Sequence, residues 1–142
     1  MAFVSITRLR VRSWIYMPMF AVYAFRSARQ CAAAVGNLNT VLLADRANTF
    51  WTVTLWESES VTKQFALGGV HREAMPKLLN WCDEAAVVHW TQDAESLPTW
   101  QEAWERLLRE GRRSKVNHPS AAHLGHELPA PYVRPHAERH FK

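Results

Sequence analysis

Cysteine is scarce in this chain: there are two in 142 residues, Cys31 and Cys82. Both fall in stretches that read as apolar helical faces, so they suit inert packing groups better than a disulfide, and the expected setting is a reducing, cytoplasmic compartment. Glycine is scarce too, at five residues. No apolar run approaches the length of a membrane span. The nearest imitation of a leader is the set of arginines at 8, 10 and 12 followed by residues 14–25 and the alanines 32–34. Tyr16, Pro18 and Tyr23 weaken its apolar part, and Arg26 and Arg29 interrupt the approach to the alanines. A metal-binding pattern is also missing. His118, His123 and His126 have no cysteine or paired carboxylate near them in the sequence, so no metal site is expected.

The net charge of +4 looks like a nucleic-acid signal until it is divided. Residues 1–111 carry eleven Lys and Arg against eleven Asp and Glu, and residues 112–142 carry six against two. The body is neutral, and a basic tail of this size reads as solvated, so no nucleic-acid partner is expected. At this length the chain reads as one domain over residues 1–111, followed by a basic, histidine- and proline-rich irregular tail over 112–142.

Tryptophan is what the chain has in excess, with seven. Trp51 and Trp56 lie in the stretch 50–56, which is aromatic, β-branched and aliphatic without glycine or proline and reads as a strand. Trp51, Val53 and Leu55 point one way and Phe50, Thr52, Thr54 and Trp56 the other, so both faces of its sheet need cover. Ser58 or Ser60 then caps a helix carrying Val61 and Phe65. Gly68-Gly69, costing about 2 kcal/mol relative to two alanines, breaks it. A second helical segment places His71, Met75, Leu78 and Cys82 on one stripe, and Pro76 should either lie near its start or kink it. Residues 85–90 form the next strand.

Upstream, residues 3–11 read as the first strand, with Val4 and Ile6 on one face and Phe3, Ser5, Thr7 and Leu9 on the other. Pro18 suits the first turn of a helix ending at Gly36. Residues 40–45 then form a strand paired as a hairpin with 50–56 through Arg46-Ala47-Asn48. Thr99 and Glu102 make a capping-box pair that opens a helix over 99–110. The order βαββαβ specifies an α+β, ferredoxin-like fold with a four-stranded antiparallel sheet, both helices on one face, and an extra C-terminal helix. The other sheet face would then be open. A second copy packed sheet to sheet is its simplest cover, which predicts a homodimer unchanged by truncation at Gly111.

With these elements in place the chain resembles a known group. The order of elements, the strand ending Leu55-Trp56-Glu57-Ser58, and the run from Phe65 through Gly68-Gly69-Val70-His71 to Ala74-Met75 are similar to the dimeric α/β-barrel superfamily of antibiotic-biosynthesis monooxygenases. Within it, the nearest likeness is to spheroidene-monooxygenase-like proteins. The resemblance covers residues 1 to about 110 and implies a monooxygenase acting on a hydrophobic, polyene or aromatic, small molecule, with haem as a candidate cofactor. It leaves two other readings open: a non-catalytic dimeric module binding a small apolar ligand, and a lyase or isomerase with His71 as base. The haem-degrading branch uses an asparagine, a tryptophan and a histidine at positions that fall here on Thr7, Phe65 and Met75. None of the three matches, although His71 lies one turn from Met75.

The expected site is centred on His71, as catalytic base or cofactor ligand, because the glycines open the backbone beside it and a helix start favours the neutral ring. Arg8 is expected with it as a catalytic partner for an anionic or carbonyl group. Trp51, Trp56, Phe65 and Met75 are expected as substrate-binding walls. His89 is the lesser candidate, on a strand whose side chain would face the dimer seam.

Overall fold

The structure is a computed structural model that describes every residue except Leu67; Val70 and His71 are described in their backbone only. Strand β1 (Ala2–Val11) leads through one 3-10 turn (Trp14–Tyr16) into helix α1 (Met17–Ala33), with Pro18 in its first turn. Strands β2 (Asn37–Ala44) and β3 (Thr49–Trp56) form the expected hairpin, and helices α2 (Glu59–Ala66) and α3 (Gly69–Trp81) precede β4 (Cys82–Gln92). These strands lie in the antiparallel order β4-β1-β3-β2. That is the split βαββαβ arrangement read from the sequence.

The four-stranded expectation needs correction. The sheet has six strands in the order β5-β4-β1-β3-β2-β6, because β5 (Arg112–Arg113) pairs with β4 and β6 (Glu138–His140) pairs with β2. The stretch read as an irregular tail thus occupies both edges of the sheet. Between its strands lies one short helix, α5 (Ala121–Leu124), capped by Ser120.

Several local expectations are met for the reasons given. The α2–α3 break falls at the glycines, where Gly68 is the N-cap of α3 and Gly69 takes φ +60°. Ser58 Oγ accepts the Val61 N–H at the start of α2. In helix α4 (Trp100–Glu110), Thr99 accepts the Glu102 N–H at 3.1 Å. Two expectations shift. Pro76 sits in the body of α3, seven residues after its start. The carbonyl it leaves unpaired is that of exposed Arg72, where water can satisfy it. Cys82, placed on the helical stripe by its spacing, is extended at φ −107° and ψ 142° and begins β4.

The two sheet faces are packed differently. One carries Val4, Ile6, Val41, Leu43, Trp51, Val53, Leu55, Ala86 and Val88, all buried. It is covered within the same chain by Ala103 and Leu107 of α4, with Trp100, Trp104, Leu128 and Ala137 packed around them. This is the face expected to need a second copy, and that reason for a homodimer is gone. The other face carries α1, α2 and α3. Its apolar groups form two clusters: Val11, Phe20, Cys82 and Ala85 at one end, and Phe3, Cys31 and Trp56 at the other. Among the described residues, no helix is long and apolar enough to cross a membrane.

Candidate active site

The helix side of the sheet is not apolar throughout. Between its two clusters the register lines up His89, Ser5, Thr54 and Thr40 in one row across four strands, with Val87, Thr7, Thr52 and Leu42 in the next. Alternation places these on the helix side, because Val4, Ile6, Val53 and Val88 between them belong to the α4-covered core. Ser5, Thr7 and Thr52 are only half-buried, although they sit on the two central strands, whereas Val4 and Ile6 beside them are wholly buried. A central strand exposes its side chains on one face only where the layer above it leaves a gap. The side chains left partly exposed here are hydroxyls.

Part of this floor is already hydrogen-bonded. Thr54 Oγ1 accepts the Trp56 indole N–H at 2.8 Å, and Thr40 Oγ1 donates to Asn37 Oδ1 at 3.2 Å and lies 3.5 Å from Cys31 Sγ. The Ser5 hydroxyl and the His89 ring have no hydrogen-bond partner among the described residues. The His89 ring rests against Phe3, with centroids 5.5 Å apart. Its pKa lies below the ordinary histidine value, first because of partial burial and then because of the Arg112 charge, which together outweigh Glu59. The imidazole is therefore neutral near pH 7 and able to take a proton. It faces the helices, not the α4-covered face where a dimer seam was expected.

The apolar wall at this end is formed by Phe3, Trp56 and Phe65, the last two with centroids 5.4 Å apart, and by Cys31 and Val61. Burial pushes the Cys31 thiol up to about 11, only partly offset by Thr40, so it carries no thiolate for nucleophilic or iron-ligating work. A haem needs a slot beside an axial ligand. Trp56, Phe3 and Cys31 are buried in mutual contact there, so these residues do not fit one. Among the described residues, no three His, Cys, Asp or Glu side chains are grouped to hold a metal ion.

The residues expected to form one site do not all meet. Trp56 and Phe65 stand together on the helix side. Met75 is exposed on α3, and the side chain of His71 lies outside the described part of the structure. Arg8 and Trp51 are on the opposite face, since Arg8 shares the parity of Val4 and Ile6. Arg8 Nη1 pairs with Glu84 Oε1 at 2.7 Å, both residues buried, and its guanidinium lies 5.9 Å from the Trp51 ring. Glu84 Oε2 accepts the Ser120 hydroxyl at 2.9 Å, while Trp51 donates its indole N–H to Asp45. This cluster ties the tail to the sheet and lies across the sheet from the helix-side floor.

Sequence reasoning passed over Ser5 and Thr54. Their signal was present, as small hydroxyls in mid-strand on an otherwise apolar face, but only the pairing register shows that they are neighbours of each other and of His89.

A family model described as a domain of unknown function (DUF3291) matches residues 22–132. No curated protein matches the chain. Among solved structures, the fold is similar to SnoaB, a cofactor-independent oxygenase from Streptomyces nogalater, at 16% identity and TM-score 0.55, covering 69% of this chain and 98% of that one. It is similar to an antibiotic biosynthesis monooxygenase at 9% identity and TM-score 0.58, covering 65% and 99%. A conserved protein from Methanosarcina mazei Go1 has 12% identity and TM-score 0.57, covering 65% and 93%. At these identities the likeness is one of fold.

Proposed function

The chain belongs to the DUF3291 family, and from that premise we propose that it is a monooxygenase acting on a hydrophobic aromatic or polyene small molecule held between the helices and the sheet. One observation carries this reading: a hydroxyl floor that is half-exposed at Ser5, Thr7 and Thr52 and ends in the neutral, exposed imidazole of His89, set beside an aromatic wall. Such a site suits a substrate with a large apolar body and one acidic C–H or O–H group. The fold neighbours include oxygenases, one of them described as cofactor-independent, which supports the same reading.

His89 takes the acidic proton, leaving an enolate or phenolate. The Ser5 and Thr54 hydroxyls, adjacent in the register, donate hydrogen bonds to the developing oxyanion; Thr54 is free to donate because its oxygen is the acceptor for Trp56. Half-buried Phe65, backed by the buried Trp56 and Phe3, meets the edge of the apolar body. The electron-rich anion reduces O2, and for a CH2 centre the balance is CH2 + O2 → C=O + H2O, so O2 serves as both oxidant and oxygen source. His71, on α3, is the second candidate base. The two free, buried cysteines suit a reducing cytoplasm.

Oxygen uptake by the purified protein, measured with enolisable polycyclic ketones, phenols and polyenes, tests the reading. Turnover is expected to fall about 10²- to 10⁴-fold in His89→Ala and on the order of 10²-fold in Ser5→Ala. The parallel variant His71→Ala decides which histidine is the base. Ligand binding without oxygen uptake by folded protein overturns catalysis and leaves the binding-module reading. A haem absorbance band in the purified protein overturns the cofactor-free route.

A further inference from the structure

A second hollow, on the outside of the molecule, carries a different chemistry. It lies between α1 and the stretch 139–142 as a shallow groove, open to solvent, of about 450 Å³. Ala32 and Ala33 keep the helix side low, and Phe25 and Phe141 meet edge-on at 5.2 Å. The Arg139 guanidinium lies over the Phe25 ring at 4.3 Å. Arg29, His140 and Lys142 complete the lining, and the Lys142 ammonium donates one of its hydrogens to the Asn37 carbonyl at 2.6 Å.

No Asp or Glu side chain lines this groove, and the reason is the register of β6. Arg139 pairs opposite Leu42 and so points toward α1, while Glu138 pairs opposite Leu43 and so points to the α4 side. There Glu138 accepts the Trp100 indole N–H and lies beside His140. The one acidic residue of the strand is thereby held on the far face. No ion pair among the described residues involves Arg29, Arg139 or Lys142. Three uncompensated cations around a concave surface concentrate positive potential. The Phe25–Arg139 stack adds a flat platform for a π system.

We propose that this groove binds a phosphorylated small molecule carrying a planar ring, of the mononucleotide class. The phosphate lies between Arg29 and Lys142 and the ring lies on the Phe25–Arg139 platform. The volume is in the range of small-ligand sites, roughly 300–1,000 Å³. The site is separate from the hydroxyl-lined floor, so its success or failure is independent of the oxygenase reading.

Calorimetric titration of the full chain with adenosine 5′-monophosphate, adenosine and inorganic phosphate tests it. Saturable binding of the monophosphate is expected, with phosphate weaker and adenosine weaker still. Arg139→Ala and Arg29→Ala are each expected to weaken monophosphate binding about tenfold. Both side chains are exposed, so thermal melting should not change, and added salt should weaken binding. Absence of saturable monophosphate binding overturns the proposal, as does equal binding of adenosine or unchanged binding in the double variant. Binding to phosphatidylglycerol vesicles with no affinity for the monophosphate also overturns it and assigns the cations to a membrane surface.

Discussion

His89 gives the proposed site a pH signature. Its pKa is lowered in the folded protein, so activity that needs the neutral ring should persist below the ordinary value of 6.5 and fail only at more acidic pH. The same shift has a stability consequence of defined sign. Between the folded and unfolded pKa values the unfolded chain binds more protons, so the ring's contribution is complete above 6.5 and declines as pH falls below it. A rate profile whose acid limb lies at or above the ordinary histidine value would remove His89 as the base. The cysteines make a second case. Burial raises Cys31 to about 11 and Cys82 to about 12, so neither should react with a thiol reagent at pH 8 in native protein, and both should react once it is unfolded. Arg8 behaves differently from a catalytic arginine. Arg8→Ala would leave Glu84 charged and buried and should cost about 3–5 kcal/mol in urea unfolding. Arg8→Met combined with Glu84→Leu should recover most of that loss. Oxygen uptake per folded molecule should be unchanged in both, because the pair lies across the sheet from the hydroxyl row.

At the level of elements, the turn from α1 into β2 depends on Gly36. It has φ +89°, and a Cβ there would stand 2.6 Å from Val61 Cγ1 of α2. Gly36→Ala should therefore cost about 1–3 kcal/mol through its backbone conformation. Val61→Ala in the same chain should return only the steric part, as read from thermal melts of the two variants. How far each element could be read in advance depended on whether its signal was local. Helix α4 was legible because Thr99 and Glu102 specify its start within four residues. Strand β4 was found where expected but read too short at its start, because Asp83 and Glu84 look wrong for a strand until Arg10 and Arg8 are paired with them at 2.6 and 2.7 Å. Strands β5 and β6 were illegible, since two or three residues carry no period. The split of the expected site was half-legible: alternation in β1 already separated Arg8 from Ser5 and Thr7, but which face the helices would cover depends on packing.

At the scale of the whole molecule, residues 112–142 act as part of the fold. Val116 is buried, Ser120 holds Glu84, the Leu128 carbonyl accepts the Trp104 indole N–H at 2.8 Å, and β5 and β6 take up the sheet's two outer edges. Truncation after Gly111 was expected to be harmless. It should instead uncover β2 and β4 and unpack the α4-covered face, lowering the melting temperature and promoting self-association through the exposed edges. Sedimentation at micromolar concentration is the check: the truncated chain is expected to associate more strongly than the full one. A full chain that sediments as a dimer would place its interface on some surface other than the α4-covered face. The position of the covering segment also has a consequence for synthesis. A ribosome delivers β1 to β4 first, α4 next, and the edge strands β5 and β6 with the segment between them afterwards. At about 5–20 residues per second, roughly 2–6 seconds separate the emergence of Gly111 from that of the last of the 31 residues beyond it. During that interval α4 is the only cover over Trp51, Val53 and Leu55, and the edges of β2 and β4 lack β6 and β5, so the growing polypeptide offers open strand edges to chaperones or to another nascent chain.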